Sequence, residues 1–144
     1  MSMVGEIKEK LGSKITGWNE HSSKRIYFWI KPQDIKEVAG ILFNELKLRF
    51  SIATGQDTPK GIEMLYHFCY DKAGQVFSVC LLIEDKKNPR IDSIASLFKG
   101  AEWIEREIWE LLGVDFVGHP NLTHLLLIDE WPQGKYPLRH SHES

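Results

Sequence analysis

The chain has 144 residues, 42% of them hydrophobic and 26% charged, which is the size and balance of one globular domain with a core of its own. Its formal net charge of −2 gives no bulk attraction to nucleic acid or to an anionic membrane. The longest comparable apolar run, Val79–Ile83, is strand length, well short of the ~20 residues of a membrane span.

The N-terminal MSMVGEIKEK has no signal-peptide core, so a soluble, cytoplasmic protein is expected, reaching a membrane only through a partner. Two cysteines, Cys69 and Cys80, cannot hold an iron–sulfur cluster, which takes about four thiolates. Both sit in apolar runs and read as buried, reduced thiols, with a disulfide as the minor alternative.

Along the chain, Met1 to about Leu11 reads as a short amphipathic helix, with Val4, Ile7 and Leu11 at helical spacing. Ile15–Trp18 and Ile26–Ile30 read as strands joined by the polar loop Asn19–Lys24. Pro32 opens a helix whose Ile35, Val38, Ala39, Leu42 and Leu46 share one face. Arg49–Thr54 reads as a strand and Gly55–Gly61 as a turn-rich loop.

Ile62–Tyr70 and Gln75–Glu84, parted by Asp71–Gly74, read as a β-hairpin. Both strands are apolar on both faces, so they are expected at the centre of the sheet, with helices on one face and room for a partner on the other. Asp85–Arg90 is a polar loop. A helix with a break is expected over Ile91–Phe98 and Ala101–Leu112, and from Gly113 onward an irregular chain with one short strand at Leu125–Ile128. The expected fold is α+β: a two-layer domain over residues 1–118, its mixed sheet covered by helices, and an extended C-terminal docking tail over 119–144.

In the helix Gly100–Gly113, Ala101, Ile104, Ile108, Leu111 and Leu112 form an apolar stripe for the sheet. Gly113 supplies a left-handed end, and Val114 can then touch Trp109. Trp103 lies off that stripe near Arg106 and Glu110, an interface composition. Beyond the helix, Phe116, His119, Pro120, Leu122, Trp131, Tyr136, Pro137, Leu138 and Arg139 make an aromatic segment with three prolines. Two readings stay open: the segment orders along a partner, or it wraps its own domain.

Signs of chemistry are few. Glu105 and Glu107, two positions apart, point to different sides of the helix and make no acid–base pair. His119, His124, His140 and His142 lack metal-ligand spacing, and no phosphate loop, dinucleotide fingerprint or nucleophile elbow occurs. No aromatic-interleaved basic patch for RNA is present.

ERExWELLGVxFxGHPxL, spanning Glu105–Leu122, resembles the signature of the 30-kilodalton (C) subunit of respiratory complex I, the NADH:quinone oxidoreductase. The same domain occurs in membrane-bound nickel–iron hydrogenases related to complex I. The resemblance continues through LLLIDEWPQGKYPLR, Leu125–Arg139, and more generically back to Ile62, with a Tyr-His pair in the strand and an Asn-Pro before the helix. Glu105, Arg106, Glu107, Trp109, Gly113, Gly118, His119, Pro120, Gly134, Pro137, Leu138 and Arg139 match position by position. Thr123 stands where the family usually has a basic residue, and His140–Ser141–His142 replaces its usual continuation, which weakens any specific salt bridge expected there.

The resemblance implies a non-catalytic structural subunit of the hydrophilic arm, packed against the large subunit and the cluster-bearing small subunit. It implies no cofactor and no active site in this chain, the iron–sulfur clusters and any nickel–iron centre lying in partner subunits. Trp103, Glu105, Arg106, Glu107, His119, Pro120, Trp131, Gly134, Tyr136, Pro137, Leu138 and Arg139 are the expected partner contacts. The form WPxGxYPLR and the chain end shortly after Arg139 lean the expectation toward a hydrogenase-type complex. A NADH:quinone oxidoreductase is the alternative, with an assembly factor or a free-standing acid–base enzyme as readings of another class.

Overall fold

The computed structural model describes residues 2–120. Helix α1 (Met3–Leu11) starts at Ser2, whose hydroxyl accepts the Gly5 N–H at 3.1 Å, and it buries Met3, Ile7 and Leu11. Strands β1 (Ile15–Glu20) and β2 (Arg25–Ile30) follow as an antiparallel pair. Pro32 opens a single 3₁₀ turn ahead of α2 (Ile35–Gly40), which runs on into a π-helical turn at Ile41–Glu45. The apolar face expected here is present: Ile35, Val38, Ala39 and Leu42 are buried.

β3 (Arg49–Thr58) and β4 (Gly61–Tyr70) form a longer hairpin than the sequence suggests. In place of the loop expected at Gly55–Gly61, β3 continues through Thr58 and only Pro59 and Lys60 turn. Gly61 is required there: at φ +153° it passes Ile83 so closely that a Cβ would collide with that residue's carbonyl oxygen. β5 (Gln75–Ile83) pairs antiparallel with β4 and parallel with β2, giving the order β1-β2-β5-β4-β3. The β4–β5 hairpin is central, as its two-sided apolarity implies.

Alternation along the strands sorts the residues. Ile26, Phe28, Met64, Tyr66, Phe68, Phe77, Val79 and Leu81 enter one core together with the buried residues of the helices. On that side Phe98 stacks on Phe50 with ring centroids 4.8 Å apart. The fold is a mixed five-stranded sheet with helices, an α+β domain.

The helix expected over Ile91–Phe98 is absent. Arg90–Asp92 is a short strand, β6, pairing in parallel with β7 (Asp115–Val117). α3 begins at Lys99 and runs to Leu112. A short apolar run cannot distinguish strand from helix by periodicity, and here partners distant in sequence decide it: the Ser93 N–H donates to the Val117 carbonyl at 2.9 Å. The strand expected at Leu125–Ile128 lies outside the described residues.

Candidate functional site

α3 carries the first half of the motif. It ends as the sequence implies, with Gly113 left-handed at φ 79° and its N–H donating to the Trp109 carbonyl at 2.9 Å. Its inner face is rotated from the expected stripe. Ala101, Glu105, Ile108 and Leu112 are buried, while Ile104 and Leu111 flank them half-buried.

Glu105 therefore turns inward, although the sequence places it among outward partner contacts. Only 1% of it is exposed. Its carboxylate accepts the Ile94 N–H at 2.8 Å and the Ser93 hydroxyl at 2.5 Å. Burial pushes this carboxyl up to about 7, and the two hydrogen bonds pull the other way. Close enough to feel its charge is Tyr66, whose buried hydroxyl has no hydrogen-bond partner among the described residues. Burial first and the Glu105 charge second push that phenol far up.

The spacing holds the signal for Glu105. Positions 101, 105, 108 and 112 are i, i+4, i+7 and i+11, the centre line of the buried face. Glu110 is likewise fully buried. Carboxylates on a charged helix read as a solvated face, and two of these are not.

His119 is drawn back onto the same helix. Its Nε2 lies 2.8 Å from the Glu102 carbonyl, an acceptor only, so this nitrogen carries the proton and donates. The same nitrogen stands 4.0 Å from a Glu105 carboxylate oxygen. The chain leaving β7 is thereby pinned to the first turn of α3, and Pro120 beyond it is exposed.

The outward face of α3 is different. Trp103 is 56% exposed. Glu107 is exposed one turn on, Leu111 is half-buried one turn further, and Arg106 is half-buried beside them. Trp131, Gly134, Tyr136, Pro137, Leu138 and Arg139 lie outside the described residues.

A second apolar surface is only partly foreseeable from the sequence. The sheet face away from the core shows Trp29 and Ile52, 38% and 47% exposed, with Tyr27, Leu65 and Leu82 half-buried. Trp29 lies over Gly17, where a Cβ would come within 3.3 Å of its ring. Beside it a hollow of about 400 Å³ is lined by Pro59, Lys60, Glu63 and Leu82. On the same face His67 and Ser78 share a 2.7 Å hydrogen bond across β4 and β5.

The chemistry of these surfaces is sparse. No three histidine, cysteine or acidic side chains gather to hold a metal among the described residues. Burial pushes the Cys80 thiol up to about 12, which keeps it a thiol rather than a nucleophilic thiolate. No described helix is long and apolar enough to cross a membrane.

Residues 28–144 match the family described as the respiratory-chain NADH dehydrogenase, 30 Kd subunit. The chain is 33% identical over 122 residues to the C subunit of a NADH-quinone oxidoreductase from Salinispora tropica, covering 76% of this chain and 49% of that one. It spans about half the length of the curated relatives it matches first. A chain in the structure of the membrane-bound sulfane sulfur reductase, an archaeal respiratory membrane complex, superposes with a TM-score of 0.81. That match is 24% identical and covers 95% of this chain and 81% of the other. The trypsin-resistant fragment of Nqo5 superposes with a TM-score of 0.66 at 20% identity, covering 85% of this chain and all of the fragment. At these identities the two structures show a shared fold.

Proposed function

Because this chain belongs to the family of the respiratory-chain NADH dehydrogenase 30 Kd subunit, we propose that it is a non-catalytic structural subunit in the hydrophilic arm of a complex I-like membrane-bound oxidoreductase. Its partners are the large subunit and the cluster-bearing small subunit, and it meets the membrane only through them. The carrying observation is the family match, which runs from β2 through the whole motif to residue 144. The geometry supports it: Glu105 and His119, two of the motif's groups that could have done chemistry, are engaged in holding the domain's own loops. Outward on the same helix stand the exposed Trp103 and Glu107, an aromatic and a charge of the kind found at interfaces.

Within that class the proposal is a nickel–iron hydrogenase-type complex, on the form WPxGxYPLR at Trp131–Arg139. The clusters and any nickel–iron centre belong to the partner subunits, and this chain holds none. Truncation after Gly118 tests the docking role. The shortened chain is expected to lose its place in the isolated complex, and assembly with unchanged affinity and activity overturns the proposal. The large subunit purified with the chain settles the finer point: nickel-ligating cysteines in it mark a hydrogenase, and their absence marks a quinone-linked relative.

A further inference from the structure

We propose that the groove between the outer edge of β3 and the outward face of α3 receives an extended, apolar, lysine- or arginine-bearing segment of a partner subunit, added to the sheet as a further strand. This rests on the reading of the chain as a docking subunit and names the kind of partner segment that docks. β3 ends the sheet, and its far edge pairs with no strand among the described residues. Sheet edges are ordinarily guarded by charge or proline, because an open row of backbone N–H and C=O groups is a template for another chain. Ser51–Gln56 has neither, the irregular step in its pairing is confined to the Phe50–Ile52 end, and its Ile52 is 47% exposed. The charges Arg49 and Asp57 stand only toward the two ends.

Beside this edge lies a groove of about 200 Å³ between Ile52–Gly55 and the Glu107, Ile108 and Leu111 side of α3. Gly55 shapes it: a Cβ there would stand 2.7 Å from Leu112 Cδ1, so the bare backbone lets the helix settle low and form an apolar wall. An edge strand beside a helix is the geometry in which an added peptide takes main-chain hydrogen bonds for affinity and sets alternate side chains in the groove for specificity.

Charge selects the occupant. Among the described residues Glu107 is the one charged residue lining the groove, it is exposed, and it makes no ion pair there. Trp103 stands one turn before it on the same stripe, ready to cover an incoming segment. This chain's own apolar run, Leu125–Ile128, leads straight into Asp129 and Glu130, which would bring carboxylates toward Glu107. A second copy paired through β3 would bring another Glu107. The basic residues further along this chain, Lys135 and Arg139, lie around Pro132 and Pro137, which interrupt a backbone ladder, so a foreign segment with a basic residue is the occupant that meets neither obstacle.

The test places a photo-crosslinking amino acid at Thr54, an exposed position on this edge, in the complex isolated from its host. The expected product joins Thr54 to one segment of another subunit, with a lysine or arginine within a few residues. Glu107→Lys is expected to cut that product about tenfold without changing the melting temperature of the isolated chain, and exchanging the partner's basic residue for glutamate restores it. Cross-links to residues 121–144, to a second copy, or to nothing in a complex that retains the chain overturn this inference and leave the docking role standing. A chain that joins no complex overturns both.

Discussion

The Glu105 carboxylate accepts the backbone N–H of Ile94 at 2.8 Å, joining the middle of α3 to the turn that follows β6. Loss of the side chain in Glu105→Ala strands that N–H and the Ser93 hydroxyl in a buried site. The expected cost is about 2–4 kcal/mol, read by denaturant unfolding. A cost below ~0.5 kcal/mol contradicts the bracing role.

The same residue sets a pH dependence. Its carboxyl moves from the usual value near 4.5 in the unfolded chain to about 7 in the fold. Between those values the folded state holds the extra proton. The stability contributed by this group is therefore full below pH 4.5, falls as pH rises through 7, and levels off above. The total change is about 3 kcal/mol. Glu105→Gln keeps an acceptor for Ile94 and removes the titration. It is expected to flatten the slope between pH 4.5 and 7 and to raise the melting temperature at pH 8. An unchanged slope places the titration elsewhere.

Tyr66 offers the opposite kind of substitution. Its hydroxyl is buried and unsatisfied among the described residues. Tyr66→Phe removes a polar group that finds no partner and keeps the ring in the core. The expected result is a gain of about 1 kcal/mol, and a loss of that size shows that the hydroxyl has a bonding role.

The cysteines are expected to stay unpaired. Cys69 stands opposite Val76 and Cys80 opposite Leu65, four residues apart along the hairpin or roughly 13 Å, beyond the reach of a disulfide. Thiol titration of the native chain is expected to leave Cys80 unreacted until unfolding, in keeping with its burial. Formation of an intrachain disulfide under mild oxidation contradicts the register.

Legibility divides along physical lines. α1 and the face of α2 follow from local periodicity, because there burial follows the helix period, and the central β4–β5 hairpin follows from two apolar runs of strand length parted by a polar turn. Gly55 misleads because a glycine in a strand looks like a turn, whereas this one admits Leu112 of α3 from a distant part of the chain. Ile91–Phe98 misleads because its hydrogen bonds come from Glu105 and Val117, which lie well along the sequence. Glu105 reads as an outward contact by its charge, and its position on the buried spacing is the better guide. Trp103 lies off the buried stripe by sequence, and its 56% exposure fits that placing. The contacts expected from Trp131 to Arg139 lie outside the described residues.

Trp103 separates folding from docking. With the side chain exposed, Trp103→Ala is expected to change unfolding free energy by no more than about 0.5 kcal/mol. An exposed tryptophan that becomes an interface anchor contributes far more, so assembly is expected to weaken about tenfold or more. Unaltered assembly removes Trp103 from the interface.

The number of copies in the complex separates a structural subunit from an assembly factor. With an affinity tag on this chain, the complex is isolated from its host's membranes and its composition read by native mass spectrometry. One copy of this chain is expected for each large and each cluster-bearing small subunit in the active complex. A chain recovered alone, or present well below one copy in the mature complex, contradicts it.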